Sequence, residues 1–178
     1  STKEPQNGAT GNSSFGYFGG GLISSHVSTV DRVDYSNDTA TAAAKGPLSA
    51  ARHYLAASSS RANAIPLENI VNYAAGTLAT PNTGYFAGGR TTPALSTVER
   101  IDYSNDTATA SVRGQLNTAQ LFAAATGNSS FGYHGGGGPY SAQKSSVDRI
   151  DYLNDTATAV AKGPLSVARI GLSAVGNA

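Results

Sequence analysis

The chain is 178 residues long, carries 12 Lys and Arg against 11 Asp and Glu for a net charge of +1, and contains no Cys, Met or Trp but 21 Gly. Without cysteine, a disulfide scaffold, a zinc ribbon and a cysteine nucleophile are excluded. Charged residues are only 13% of the chain, about half the usual share of ~25%, so no basic stripe exists to track phosphates and nucleic acid is not an expected partner.

No apolar run approaches the ~18 residues of a membrane helix, so membrane insertion is not expected. The opening STKEPQNG has neither the basic patch nor the apolar stretch of a signal peptide. Residues 1–8 read as a lead-in. From residue 9 the chain repeats itself. Gly16-Tyr17-Phe18-Gly19-Gly20-Gly21 returns as Gly84-Tyr85-Phe86-Ala87-Gly88-Gly89 and as Gly132-Tyr133-His134-Gly135-Gly136-Gly137. A second block follows each: Asp34-Tyr35-Ser36-Asn37-Asp38-Thr39, then the same pattern from Asp102 through Tyr103, then again from Asp151 through Tyr152. A third block closes the unit with Gly46-Pro47-Leu48-Ser49, Gly114-Gln115-Leu116-Asn117 and Gly163-Pro164-Leu165-Ser166. These blocks divide the chain into repeats over 9–57, 84–131 and 132–178, with an insertion over 58–83.

Each unit predicts four short strands. In the first repeat they fall near Arg52 to Ala57, Phe15 to Phe18, Thr29 to Tyr35 and Thr39 to Ala44. Val27, Thr29, Asp31, Val33 and Tyr35 alternate with Ser28, Val30, Arg32 and Asp34 at period 2, and no 3.6-residue apolar stripe competes. Ser-Asn-Asp and Gly-Pro supply the turn chemistry between strands. The insertion contains Ile70-Val71-Asn72-Tyr73 and predicts an extra arm or strand. Counted this way, the chain enters part-way through a unit and ends on an inner strand near Val167 to Ala174.

Four strands in about 48 residues, with a di-glycine after an aromatic strand, resemble a kelch-type β-propeller blade. The resemblance implies an all-β fold of about three four-stranded blades, completed by oligomerisation or by a longer chain. It also implies that Tyr35, Tyr103 and Tyr152 are repeat tyrosines and that Arg52 and Arg169 are structural arginines, with Gln120 in that place in the middle copy. The family's tryptophan is replaced by Thr and Ala in all three copies, so smaller groups must fill the blade core. The repeat DRIDYSNDTATA, followed by KGPLS and AATGNSSFGYFGG, further resembles virion proteins of marine bacteriophages, particularly those of cyanobacteria. That implies a non-enzymatic protein of the particle surface: a tail fibre, appendage or capsid decoration. Its expected partners are copies of itself, other virion proteins and host surface polysaccharide. The alternatives are a spacer without ligand and a carbohydrate-active enzyme on a propeller scaffold.

Candidate sites are weighed against scaffold roles. Asp31/Arg32/Asp34, Glu99/Arg100/Asp102 and Asp148/Arg149/Asp151 recur in every copy, which favours structural Arg bridges over catalytic acids. Asp102, Asn105 and Asp106 resemble a calcium loop only faintly, because the closing bidentate Glu is missing, and a strand-to-strand turn is expected. Five Asn-x-Ser/Thr sequons occur, unused in a bacterial virus. The three histidines, His26, His53 and His134, are dispersed, and no nucleophile elbow or phosphate-binding glycine motif is present. The copper chemistry of galactose oxidase, which needs a cysteine cross-linked to tyrosine, fails here. No catalytic residue, metal or cofactor is expected. The loops after the glycines differ most between copies, and loops on a rigid scaffold commonly carry recognition. His26, Arg90, Tyr140, Gln143 and Lys144 in these loops are therefore the candidate ligand-binding residues.

Overall fold

The computed structural model describes residues 7–60 and 82–175. These form twelve strands: β1 (Gly8–Gly11), β2 (Phe15–Gly19), β3 (Val30–Asp34), β4 (Ala43–Ala44), β5 (His53–Ser59), β6 (Thr83–Arg90), β7 (Leu95–Asp102), β8 (Ser111–Gln120), β9 (Ala124–Gly127), β10 (Phe131–Gly135), β11 (Val147–Asp151) and β12 (Val160–Lys162). Among the described residues there is no α-helix, and a single 3₁₀ turn spans Tyr152–Asn154. The strands make three antiparallel four-stranded sheets, β1-β2-β3-β4, β5-β6-β7-β8 and β9-β10-β11-β12, each in sequence order. The chain is all-β and built of blade-like units, as the four-strand repeat implies, and the three sheets do not close on themselves.

The sheets stack face to face. β1 packs on β5 and β5 on β9, so the first strands lie side by side along one margin of the stack. The core is two slabs. Between the first and second sheets lie Tyr17, Val30, Leu48, Leu55, Phe86 and Ile101, and between the second and third lie Tyr85, Val98, Leu116, Ile150, Tyr152 and Ala159. A tyrosine pair stacks in each slab: Tyr17 on Tyr103 at 4.9 Å and Tyr85 on Tyr152 at 4.7 Å.

The turns follow from the repeated residues. After β3, Asp34 Oδ1 accepts the amide of Ser36 at 2.9 Å, and Asp102 and Asp151 do the same for Ser104 and Leu153, so these carboxylates are spent on turn geometry. The first glycine of each doublet sits at positive φ, 71° at Gly20, 70° at Gly88 and 69° at Gly136, where a side chain is disfavoured. The next glycine then docks the following segment, with Gly21 N donating to Arg52 O and Gly137 N to Arg169 O.

Three sequence expectations change. The first sheet has its own inner strand, because Gly8–Gly11 pairs with Gly16–Gly19, just as Ala124–Gly127 pairs with Gly132–Gly135. A strand so close to its neighbours needs small residues: a Cβ on Gly8 would already stand 3.2 Å from Ala57 and Phe86. The fourth strand of the first sheet is only Ala43–Ala44, since the Thr39 to Ala42 stretch turns instead. Val167 to Ala174 forms no strand. It nevertheless follows the track of β5, because Thr126 Oγ1 donates to Val175 O as Thr10 Oγ1 donates to Ser58 O. The arm expected at Ile70 to Tyr73 lies outside the described residues.

Candidate functional site

Two arrangements concentrate the polar and aromatic side chains. The first lies between sheets. At the first junction Asp106, in the turn after β7, accepts from Tyr17 Oη at 3.0 Å and from Arg32 Nη1 at 2.7 Å, with Lys45 Nζ at 3.4 Å. At the second junction Asp155 accepts from Tyr85 Oη at 2.9 Å and Arg100 Nη1 at 2.8 Å, with Arg113 Nε at 3.4 Å. Burial alone would raise the Asp106 carboxyl, but the bonds from Tyr17 and Arg32 outweigh it and hold it below the ordinary carboxylate range. Burial likewise pushes the Tyr85 phenol up to about 12, so it remains a donor. Arg32 also lies over the Phe15 ring of its own sheet, and Arg149, its counterpart in the third sheet, lies over Phe131, both at 4.2 Å.

A second polar contact lies deeper, between β7 and the connector leading into β5, which bonds to Gly21 and Val27 of the first sheet's loop. Arg52 Nη2 stands 2.6 Å from Glu99 Oε2, both side chains essentially buried, and Ser49 donates to Oε1 of the same carboxylate through its amide (3.0 Å) and its hydroxyl. Burial keeps Glu99 above its usual range despite Arg52 beside it. In the next junction Gln120 replaces Arg, and Nε2 reaches Asp148 only at 3.5 Å. Asp106, Asp155 and Glu99 are thus engaged with cations at the contacts between successive repeats. A groove of about 520 Å³ runs along the first strands, past Thr10, Tyr35, Ser58, Ser59, Thr126 and Val175, with no carboxylate, histidine or amine in its lining. No group of three metal-ligating side chains occurs among the described residues.

The second arrangement is a row of rings on the glycine-loop side. His26 stacks on His53 at 4.5 Å, His53 meets Tyr54 at 3.9 Å, Tyr54 meets Phe122 at 3.9 Å, and Phe122 meets Tyr140 at 5.4 Å. The row runs from a loop of the first sheet, across the start of β5 and the residues before β9, to a loop of the third sheet. It joins two of the sequence candidates, His26 and Tyr140. Arg90 ends β6 opposite His53 and is exposed. Gln143 is exposed in the Tyr140 turn, while Lys144 Nζ donates to Ala119 O at 2.7 Å and so braces the loop. Burial, then proximity to His26, lowers the His53 pKa and keeps it neutral.

Tyr54 and Phe122 escaped the sequence reading, and His26 and His53, read as dispersed, stand together. A signal was present: Tyr54, Phe122 and Gly171 occupy the same repeat position, two residues after Arg52, Gln120 and Arg169. All three have positive φ, 58°, 56° and 64°. A backbone that suits glycine thus carries a bulky ring in two of the copies, at roughly 1–2 kcal/mol each. No family model matches the chain, and no curated protein matches it.

Proposed function

We propose that the chain is a non-enzymatic, kelch-like propeller module of a bacteriophage virion, part of a tail fibre, appendage or capsid decoration, whose ring-lined face binds host surface polysaccharide. The observation that carries the binding role is the strained pair Tyr54 and Phe122 within a continuous aromatic row. Phe122 is buried and Tyr54 half-buried, so the strained pair backs the exposed ring of Tyr140, and strain kept beneath an exposed ring points to a use. A pyranose has an apolar C–H face that lies on a ring and hydroxyls at its rim, and Tyr supplies both a flat surface and a polar tip. A row crossing three sheets suits a chain of sugars better than a single one. Arg90 and Gln143, exposed at its flanks, offer donors to those hydroxyls. The virion assignment rests on the sequence resemblance, and the non-catalytic role on the engagement of the repeated charges between sheets.

A glycan array tests the reading. Tyr54→Gly adopts the backbone without strain, and Tyr140→Ala removes a ring that is 60% exposed, so both variants should fold. Binding to bacterial polysaccharide that drops at least about tenfold in each variant supports the proposal. No glycan signal from the wild type identifies a spacer instead, and turnover of a polysaccharide by the purified protein identifies an enzyme.

A further inference from the structure

Each junction between sheets is built from the same parts, and one full set of those parts is unused at the two ends of the stack. In the first and second sheets the socket is a Tyr on the second strand, an Arg on the third and a cation on the fourth: Tyr17/Arg32/Lys45 and Tyr85/Arg100/Arg113. The plug is the turn aspartate of the following sheet, Asp106 or Asp155. The third sheet carries the equivalent socket, Tyr133, Arg149 and Lys162, and none of these has a carboxylate partner among the described residues. The first sheet carries the equivalent plug, Asp38, which is exposed and has no cation beside it there.

The apolar parts match the same way. Tyr103 and Tyr152 are 7% and 6% exposed because the preceding sheet covers them, whereas their counterpart Tyr35 is 54% exposed. Phe86 and His134 are fully buried, and their counterpart Phe18 is not. The deeper pair repeats the pattern, with Asp31 on the first sheet in the place of Glu99 and Arg169 exposed in the place of Arg52.

Glycine gives the sharpest sign. A Cβ on Gly46 would overlap the carbonyl of Ala108, and one on Gly114 that of Ala157, because the next sheet's turn presses on each and Gly46 N and Gly114 N bond Asp106 O and Asp155 O at 2.8 Å. Gly163 holds the same place in the third sheet and has nothing within 4 Å. Its two counterparts are glycine because a neighbour is there, and Gly163 has the shape for one.

We infer that the exposed face of the third sheet receives the first sheet of a second copy of this chain, Asp38 seating between Tyr133 and Arg149, Asp31 pairing with Arg169, and the Ala40 carbonyl lying on Gly163. Socket and plug are opposite in charge and occur once each per chain, so the contact is heterologous, and two copies close it reciprocally about a two-fold axis. Two copies supply six blades, inside the range of roughly 4 to 8 at which propellers close. The inference rests on the blade reading above but not on the glycan or virion roles.

Light scattering on the size-fractionated protein tests it. The wild type should have twice the 18.0 kDa mass of one chain. Gly163→Val and Asp38→Arg, both at sites with no contact to lose, should keep the wild-type circular dichroism spectrum and weaken the dimer at least about tenfold. Arg149→Asp should do the same, and an equimolar mixture of the Asp38→Arg and Arg149→Asp proteins should regain the double mass, since each then meets its complement. A wild type that is monomeric at every concentration, or a Gly163→Val protein that dimerises normally, overturns the inference. Each chain carries a whole aromatic row, so either result leaves glycan binding by the single chain in place, without the gain from two rows, and the two proposals fail separately.

Discussion

His134 takes the position in the third sheet that Phe86 takes in the second, and it is fully buried, with Ser58 Oγ at 3.4 Å from Nε2 as its hydrogen-bond neighbour. Burial lowers its pKa from 6.5 to about 4. The imidazole is therefore neutral in the fold, and the unfolded chain takes up the proton first as pH falls. Stability from this group is intact above pH 6.5 and drains away down to about pH 4, a loss of order 3 kcal/mol. His134→Phe should flatten the dependence of the urea midpoint on pH across that window relative to the wild type. His53, also lowered, adds to the slope in both proteins, and Asp106, held below 3.8, acts at lower pH. An unchanged slope in His134→Phe would show that the imidazole is not dry. In the sequence His134 stands where the other copies carry Phe18 and Phe86, but its burial depends on the second sheet lying over it, which no local pattern reports.

At the level of the elements, the three sheets are held by buried polar contacts of unequal quality. Arg52 and Glu99 are matched, so Glu99→Gln leaves a buried guanidinium without its counter-charge and should cost about 3–5 kcal/mol in denaturant unfolding. Asp148 has no cation paired with it among the described residues and accepts from the Thr118 amide at 3.4 Å and from Gln120 Nε2 at 3.5 Å, and burial raises its pKa. Its charged form is disfavoured in the fold, so its contribution is lost as pH rises through the folded pKa. Asp148→Asn should accordingly be neutral or stabilising at pH 7, and a cost like that of Glu99→Gln would contradict the difference between the junctions. A further contrast lies in the glycines: Gly46→Ala should destabilise strongly, because backbone and not a flexible side chain stands in the way, whereas Gly163→Ala should leave the unfolding of the separate chain unchanged.

Strand number and order were legible from the block spacing and the period-2 runs, because alternation and turn residues are local. Strand ends were not. Gly8–Gly11 has no apolar residue longer than Ala to announce a strand, and its identity comes from pairing with β2. Conversely, Val167 to Ala174 has the residues of an inner strand and stays unpaired, since the strands that would pair with it are not in this stack. The loop residues His26 and Tyr140 stood out because they vary between copies, while the ring row that links them needed the positive φ of Tyr54 and Phe122.

For the whole molecule, a single kind of junction is used twice inside the chain and, in the dimer inferred above, would be used twice more between two copies. The near-neutral charge conceals a separation, with the unpaired Asp31 and Asp38 on the first sheet and the unpaired Arg149, Lys162 and Arg169 at the third. Such a contact should be weakened by salt, because opposite charges set its register. It also places two copies of the aromatic row on one face of the assembly, which would raise avidity for a polysaccharide that spans both. Electron microscopy of the purified chain, viewed end-on, reads the arrangement directly. Closed rings of six blades around a central channel are expected, and isolated three-sheet arcs or rings of any other blade number would contradict the reciprocal dimer.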